Sequence, residues 1–234
     1  MRLALIVPIL DQDRIIEESL QGLAPLRARG HRVIVVDGGS RDDGPWRARD
    51  LADRVLLAPR GWSWQANAGG RAPEADSADV LAFVPPATRL PPEADRAIVR
   101  ALSGSTSPWG FFDLRLQGAQ AGASLPWRAA AALANLGARA TRVGLADQVL
   151  FATRAAFLAL EGFQAGSESP DVDFSLRARL LGAPVVLRPG VRLRTGDAPA
   201  GTILRSAAQR EWWRLACALD LPLRPRRPPL WSSA

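Results

Sequence analysis

Residues 33–40 read Val-Ile-Val-Val-Asp-Gly-Gly-Ser, a β-branched run that stops abruptly on an acid, two glycines and a hydroxyl. An apolar run without polar alternation suits a strand buried on both faces, as in the parallel sheet of an α/β protein. In such sheets ligands bind beyond the carboxyl ends of the strands, where glycine admits backbone N–H groups to the ligand. Asp37 is therefore a candidate to accept a hydrogen bond from a ribose or a base. The same Asp-Gly-Gly-Ser is equally a turn sequence that needs no ligand.

With 234 residues, 47% of them hydrophobic and 23% charged, the chain is long enough for one α/β domain with a substantial core. The formal net charge of +7 raises nucleic acid as a partner. Every basic residue is arginine, however, with no lysine, no tyrosine and much alanine, which coding bias in a GC-rich genome explains. The arginines interleave with acids and carry no recognition motif, so no nucleic-acid partner is expected. The densest group, Arg224, Arg226 and Arg227, lies in a proline-rich tail over residues 222–234 and is read as solvated or as a peripheral contact with an acidic membrane surface. The single Cys217 excludes an internal disulfide and cannot by itself make a thiolate metal site. Leu3–Val7 is stopped at once by Pro8, and no run approaches membrane-spanning length, so the expected location is the cytoplasm.

Strands are expected at 3–7, 32–36, 54–57, 80–84, 111–116, 148–153 and 184–188. Helices are expected at 14–29, 47–52, 93–102, 126–142, 155–160, 171–181 and 202–219, with a loop from Pro59 running into a further helix. The four prolines between Pro85 and Pro92 predict a rigid loop. Trp62 and Trp64 are read chiefly as core caps, with stacking on a base or sugar as the other reading. No repeat or composition break divides residues 1–221, which form one domain with a nucleotide-binding half (1–102) and an acceptor half (103–221).

Several polar features fall on one sheet edge, and their order resembles family 2 glycosyltransferases of the GT-A, nucleotide-diphospho-sugar transferase fold. The chain looks most like a short bacterial subgroup labelled as transferases associated with radical-SAM and selenium proteins. The residues that carry the likeness are Val7-Pro8-Ile9-Leu10-Asp11-Gln12, Val35-Val36-Asp37-Gly38-Gly39-Ser40, the Pro-Arg-Gly-x-x-x-Gln-x-Asn-Ala-Gly element at 59–69, Thr88-Arg89-Leu90-Pro91-Pro92, Asp147-Gln148, and Gly162-Phe163 ahead of Asp171-Val172-Asp173. The resemblance spans roughly residues 3–190. It implies a mostly parallel central sheet flanked by helices.

The resemblance further implies that Pro8, Asp11, Asp37, Gly38, Gly39, Ser40, Arg60, Gln65, Asn67 and Thr88 hold the donor nucleotide. Asp147 and Gln148 face the sugar or the acceptor, and Asp171 takes the acceptor's proton in a single inverting displacement. Two positions depart from the pattern. The metal-binding aspartate after the central strand is replaced, since the segment reads Pro85-Pro86-Ala87-Thr88, and alanine cannot ligate magnesium or manganese. The acidic neighbour of the base is Pro170. Without that metal ligand, Arg60, Arg89 or Arg194 is expected to stabilise the diphosphate. Asp171 and Asp173 read equally as first-turn acids that stabilise a helix. The expected function is thus sugar transfer from a nucleoside-diphosphate sugar to an acceptor the sequence does not name, without an assured cofactor. The alternative is a silent relative that binds a sugar nucleotide or a partner.

Overall fold

A computed structural model describes residues 1–117, 125–167, 169–194 and 200–221. The strands are β1 (Leu3–Ile9), β2 (Arg32–Asp37), β3 (Arg54–Leu57), β4 (Val80–Phe83), β5 (Thr88–Arg89), β6 (Trp109–Gln117), β7 (Phe151–Thr153) and β8 (Val185–Arg194). The helices are α1 (Ile16–Ala28), α2 (Gly44–Arg47), α3 (Trp62–Gly70), α4 (Ala94–Ser103), α5 (Leu125–Thr141), α6 (Arg154–Ala159), α7 (Pro170–Ala178) and α8 (Ala200–Ala218). All eight strands form one sheet in the order β3-β2-β1-β4-β7-β6-β8-β5.

β1, β2, β3 and β4 run parallel, with Ile6 opposite Ile34 and Phe83. β7 runs against both β4 and β6, β8 is parallel to β6, and β5 runs against β8. The sheet is therefore mostly parallel and covered by helices on both faces. Alternation along β1 shows how the core divides: Leu3, Leu5, Val7 and Ile9 join α1 and α4 on one side, while Ala4 and Ile6 join the side of Ala66 in α3 and Phe157 in α6. A smaller apolar cluster, Val143, Leu145, Val172, Trp213 and Cys217, lies under α8.

Five expectations need correction. The strand expected at 184–188 is β8, which continues to Arg194 with a register shift against β6. The helix expected at 47–52 is not formed: residues 48–52 are turns and a bend, and the short helix α2 lies before them at Gly44–Arg47, with Pro45 in its first turn and its backbone angle preset. The proline-rich loop contains β5, whose Thr88 and Arg89 pair with Leu193 and Arg192; two residues are too few to show a period. Residues 146–148 form a 3-10 turn instead of the start of β7, and Val149 follows with a φ of 51°. The helix expected to reach Leu181 ends at Ala178, where a 3-10 turn takes over. The 222–234 tail lies outside the described residues.

Candidate functional site

Chain order puts β2 on one side of β1 and β4 on the other, so the connections part above these strands and leave a crevice at their carboxyl ends. The loops that wall it are cross-tied. Asp37 is buried, and its carboxylate accepts from the backbone N–H of Ser40 at 3.0 Å and from the Ser40 hydroxyl at 2.5 Å. Ser40 Oγ in turn accepts from the N–H of Asp11 at 2.9 Å, and an Asp11 carboxylate oxygen accepts from the N–H of Arg41 at 2.7 Å. From α3, Gln65 Nε2 donates to the carbonyls of Ile9, at 2.6 Å, and Val36, at 2.8 Å. Gly38 leaves room for this tie, since a Cβ there would stand 3.0 Å from the Gln65 side chain and push it aside, and Gly39 turns at a φ of +87° that disfavours other residues.

The crevice opens as a cleft of about 450 Å³. Pro8, Ile9, Leu10 and Gln12 form one wall, Pro85, Pro86 and Ala87 the opposite one, and Arg60, Gly61, Trp62 and Gln65 the third. Trp62 caps the core, its ring meeting Phe163 edge-on at 4.6 Å, and it also lines the cleft; its buried Nε1 has no hydrogen-bond partner among the described residues. Trp64 is exposed and does not line the cleft. Arg60 is exposed at the cleft and makes no ion pair with any described residue, so it can meet an anion without first breaking a bond.

Of the residues expected at the donor, Pro8, Arg60 and Gln65 line this cleft, while Asp37, Gly38, Gly39, Ser40 and Asp11 form the tied loop beside it. Asn67 lies elsewhere on α3, its amide closed on Phe163 by a donated bond of 2.7 Å and an accepted one of 2.9 Å. Thr88 is buried with its hydroxyl unpartnered among the described residues. Magnesium or manganese would need hard oxygen ligands. No lining residue is a carboxylate, Ala87 stands at the expected ligand position, and no three His, Cys, Asp or Glu side chains converge among the described residues. The donor set does not fit a divalent cation. The protein's one histidine is also committed, since His31 Nδ1 accepts from the N–H of Leu3 and Nε2 donates to Asp95.

Arg89 and Arg194 sit away from this cleft. Both engage Glu18, Arg89 at 2.6 Å, in a separate hollow that Arg192 also lines. Of the three arginines expected at a diphosphate, only Arg60 is at the crevice.

The carboxylates expected in the chemistry are interior. Asp171 is 0% exposed, and its two oxygens accept from the N–H groups of Ala146, at 2.9 Å, and Val172, at 3.0 Å. Asp147 is 1% exposed and accepts from Arg210 of α8 at 2.9 Å. Gln148 accepts from Arg214 at 3.2 Å and donates to the carbonyl of Phe112 at 3.4 Å. Asp173 pairs with Arg177 one helical turn on. Arg210 and Arg214 were legible as a pair four residues apart on the face that Ala207 and Cys217 bury, a placement arginine tolerates only with partners.

Glu211 lies 3.1 Å from Arg214 and is itself mostly buried. Burial pushes the Glu211 carboxyl up to about 7, against the pull of Arg214 and Arg210. Because the folded value lies above the unfolded 4.5, the native protein holds a proton that the unfolded chain has released between these two pH values. Stability should fall as pH rises through that window and then level off, by up to about 3 kcal/mol. Urea denaturation across pH 4.5–7.5 tests this, with Glu211→Gln expected to flatten the slope; an unchanged slope in the variant would assign it to another group. Asp95 acts in a different range: against its burial, hydrogen bonds from Arg29 and His31 hold its carboxyl well below the usual value, so its contribution is lost only in stronger acid.

Compared by sequence, the chain matches no family model and no curated protein. Its fold is that of the GT-A glycosyltransferases, α/β with a mostly parallel central sheet flanked by helices. It is similar to a mannosyltransferase from Pyrobaculum calidifontis in complex with GDP-Man and Mn2+, at 18% identity and a TM-score of 0.67, over 96% of this chain and 66% of that one. TarS of S. aureus, residues 1–349 with UDP-GlcNAc, aligns at 14% identity and a TM-score of 0.62, over 92% of this chain and 67% of that one. Glucosyl-3-phosphoglycerate synthase of Mycobacterium tuberculosis, in complex with Mn2+, UDP and glucosyl-3-phosphoglycerate, aligns at 18% identity and 0.56, over 95% and 81%. The chain thus spans 66% of the length of the mannosyltransferase. No helix among the described residues is long and apolar enough to cross a membrane.

Proposed function

We propose that the protein is a glycosyltransferase that moves a sugar from a nucleoside-diphosphate sugar to an acceptor, with the donor in the cleft between β1 and β4. The observation that supports this reading most is the cleft itself: a crevice at the switch point of a GT-A sheet, with tied loops on its flanks and Arg60, unpaired among the described residues, lining it. Its apolar walls and Trp62 suit a base and ribose, and Arg60 suits the diphosphate through paired N–H donors. In an inverting transfer the acceptor oxygen attacks the anomeric carbon as the bond to the diphosphate breaks. The leaving phosphate takes the electron pair beside Arg60, and Asp171 takes the acceptor proton. Family 2 membership, the short bacterial subgroup and a cytoplasmic location belong to the same proposal and rest on the sequence motifs.

A second reading, a sugar-nucleotide binding protein without turnover, is favoured by one observation: Asp147 and Asp171 are both buried, Asp147 bonded to Arg210 of α8 and Asp171 to the backbone N–H of Ala146 in the 146–148 turn. For Asp171 to serve as base, α8 has to move outward and admit the acceptor.

Calorimetry with UDP, GDP and their sugars, with manganese and with EDTA, followed by assay of nucleoside-diphosphate release with cell extract as acceptor, tests both readings. Binding that survives EDTA with sustained release is the expected result. Binding without release supports the silent relative, and no heat with any nucleotide removes both.

A further inference from the structure

We propose that the outer face of the α5–α8 pair docks on an anionic membrane surface. The inference is independent of what the cleft binds. α8 lies along α5, with Arg214 Nη1 donating to the carbonyl of Ala134 at 2.6 Å and Gly137 abutting Glu211. The inward sides of the pair are filled by Ala130, Ala134 and Ala138 and by Ala207, Trp213 and Cys217.

Outward, α8 exposes Leu204, Trp212, Leu215 and Leu219, spaced so that they fall on one helical stripe, with Trp212 54% exposed. On α5, Leu133 and Leu136 are exposed, Leu136 by 65%. Each pair of these residues flanks the seam: Leu133 and Leu136 neighbour Ala134 and Gly137, and Leu215 follows Glu211 by one turn. Two helices packed against each other thus each present exposed apolar side chains, six in all, more than singly scattered surface leucines.

Its charges decide the occupant. α5 carries no acid over Leu125–Thr141, and the one acid of α8, Glu211, turns inward to Arg214. Arg128 of α5 and Arg205 of α8 are exposed. Past Asp220 the chain continues into a segment with Arg224, Arg226 and Arg227 and no carboxylate side chain. Apolar side chains with a tryptophan, accompanied by arginines, suit the boundary between acyl chains and negative headgroups. A second copy would instead bring arginine against arginine.

Flotation of the full chain with vesicles of phosphatidylcholine alone, or mixed with phosphatidylglycerol, tests this. Retention on the anionic vesicles only, weakened by salt, is expected. Leu136→Gln with Trp212→Ser should abolish it while leaving the circular-dichroism melting curve and nucleotide binding in place. Changing the three tail arginines to Gln should lower partitioning about fivefold per residue. Equal retention on neutral vesicles, no retention, or variants that float like the original would overturn the proposal. So would light scattering that shows a dimer which Trp212→Ser dissociates.

Discussion

Arg210→Met is expected to remove about 3–5 kcal/mol of folding stability, a large part of what a domain of this size possesses. The guanidinium and the Asp147 carboxylate it binds are almost wholly withdrawn from water, at 5% and 1% exposure. An ion pair in that setting adds little net stability, because desolvating both charges offsets most of their attraction. Removing one partner is different, since the remaining charge stays desolvated with less to compensate it. The double variant Arg210→Met, Asp147→Leu should therefore recover most of the loss. Urea denaturation of both variants measures this, and a midpoint for the single variant within about 1 kcal/mol of the original would show that water reaches the pair. The same experiment bears on function. If α8 must open for Asp171 to work, weakening its grip should raise any transfer rate, measured below the melting point, even as stability falls. A silent relative would show the destabilisation and no gain.

The first three parallel strands and β4 are legible in the sequence as short, largely apolar runs separated by helical periods, although β1 runs through Pro8 to Ile9 instead of stopping at Val7. The crevice at their ends follows from that order alone. The ties across it are legible as residue types and not as roles. Asp37, Gln65 and Asn67 sit in motifs that read as ligand contacts, whereas their polar atoms here close loops: Asp37 on Ser40, Gln65 on Ile9 and Val36, Asn67 on Phe163. A motif records that a polar atom is needed at a position. It does not record whether a ligand or the backbone satisfies it. The least legible part is the setting of Asp147 and Asp171, which depends on contacts about 60 and 25 residues away. Local pattern carries no such information, and the clue that existed was the pair Arg210 and Arg214 on a buried helical face.

Arg60→Ala should lower affinity for a nucleoside diphosphate about 10- to 100-fold, the value of a charge-assisted hydrogen bond to phosphate. Folding stability should change by less than about 0.5 kcal/mol, because the side chain is exposed and pairs with nothing among the described residues. Affinity for the corresponding nucleoside, which has no phosphate, should be unaffected. That contrast separates loss of a phosphate contact from collapse of the cleft. Arg60→Lys should restore only part of the loss, since an ammonium cannot offer two parallel donors. The chemistry of the opposite wall supplies a second arm. Ala87→Asp introduces a carboxylate where no lining residue has one, so in the Arg60→Ala background manganese should recover affinity that EDTA then removes. Calorimetry with UDP, GDP and uridine reads each arm. If Arg60→Ala binds diphosphates as the original does, the phosphates lie elsewhere, and the hollow where Arg192 sits beside the Glu18-bound Arg89 and Arg194 becomes the place to look.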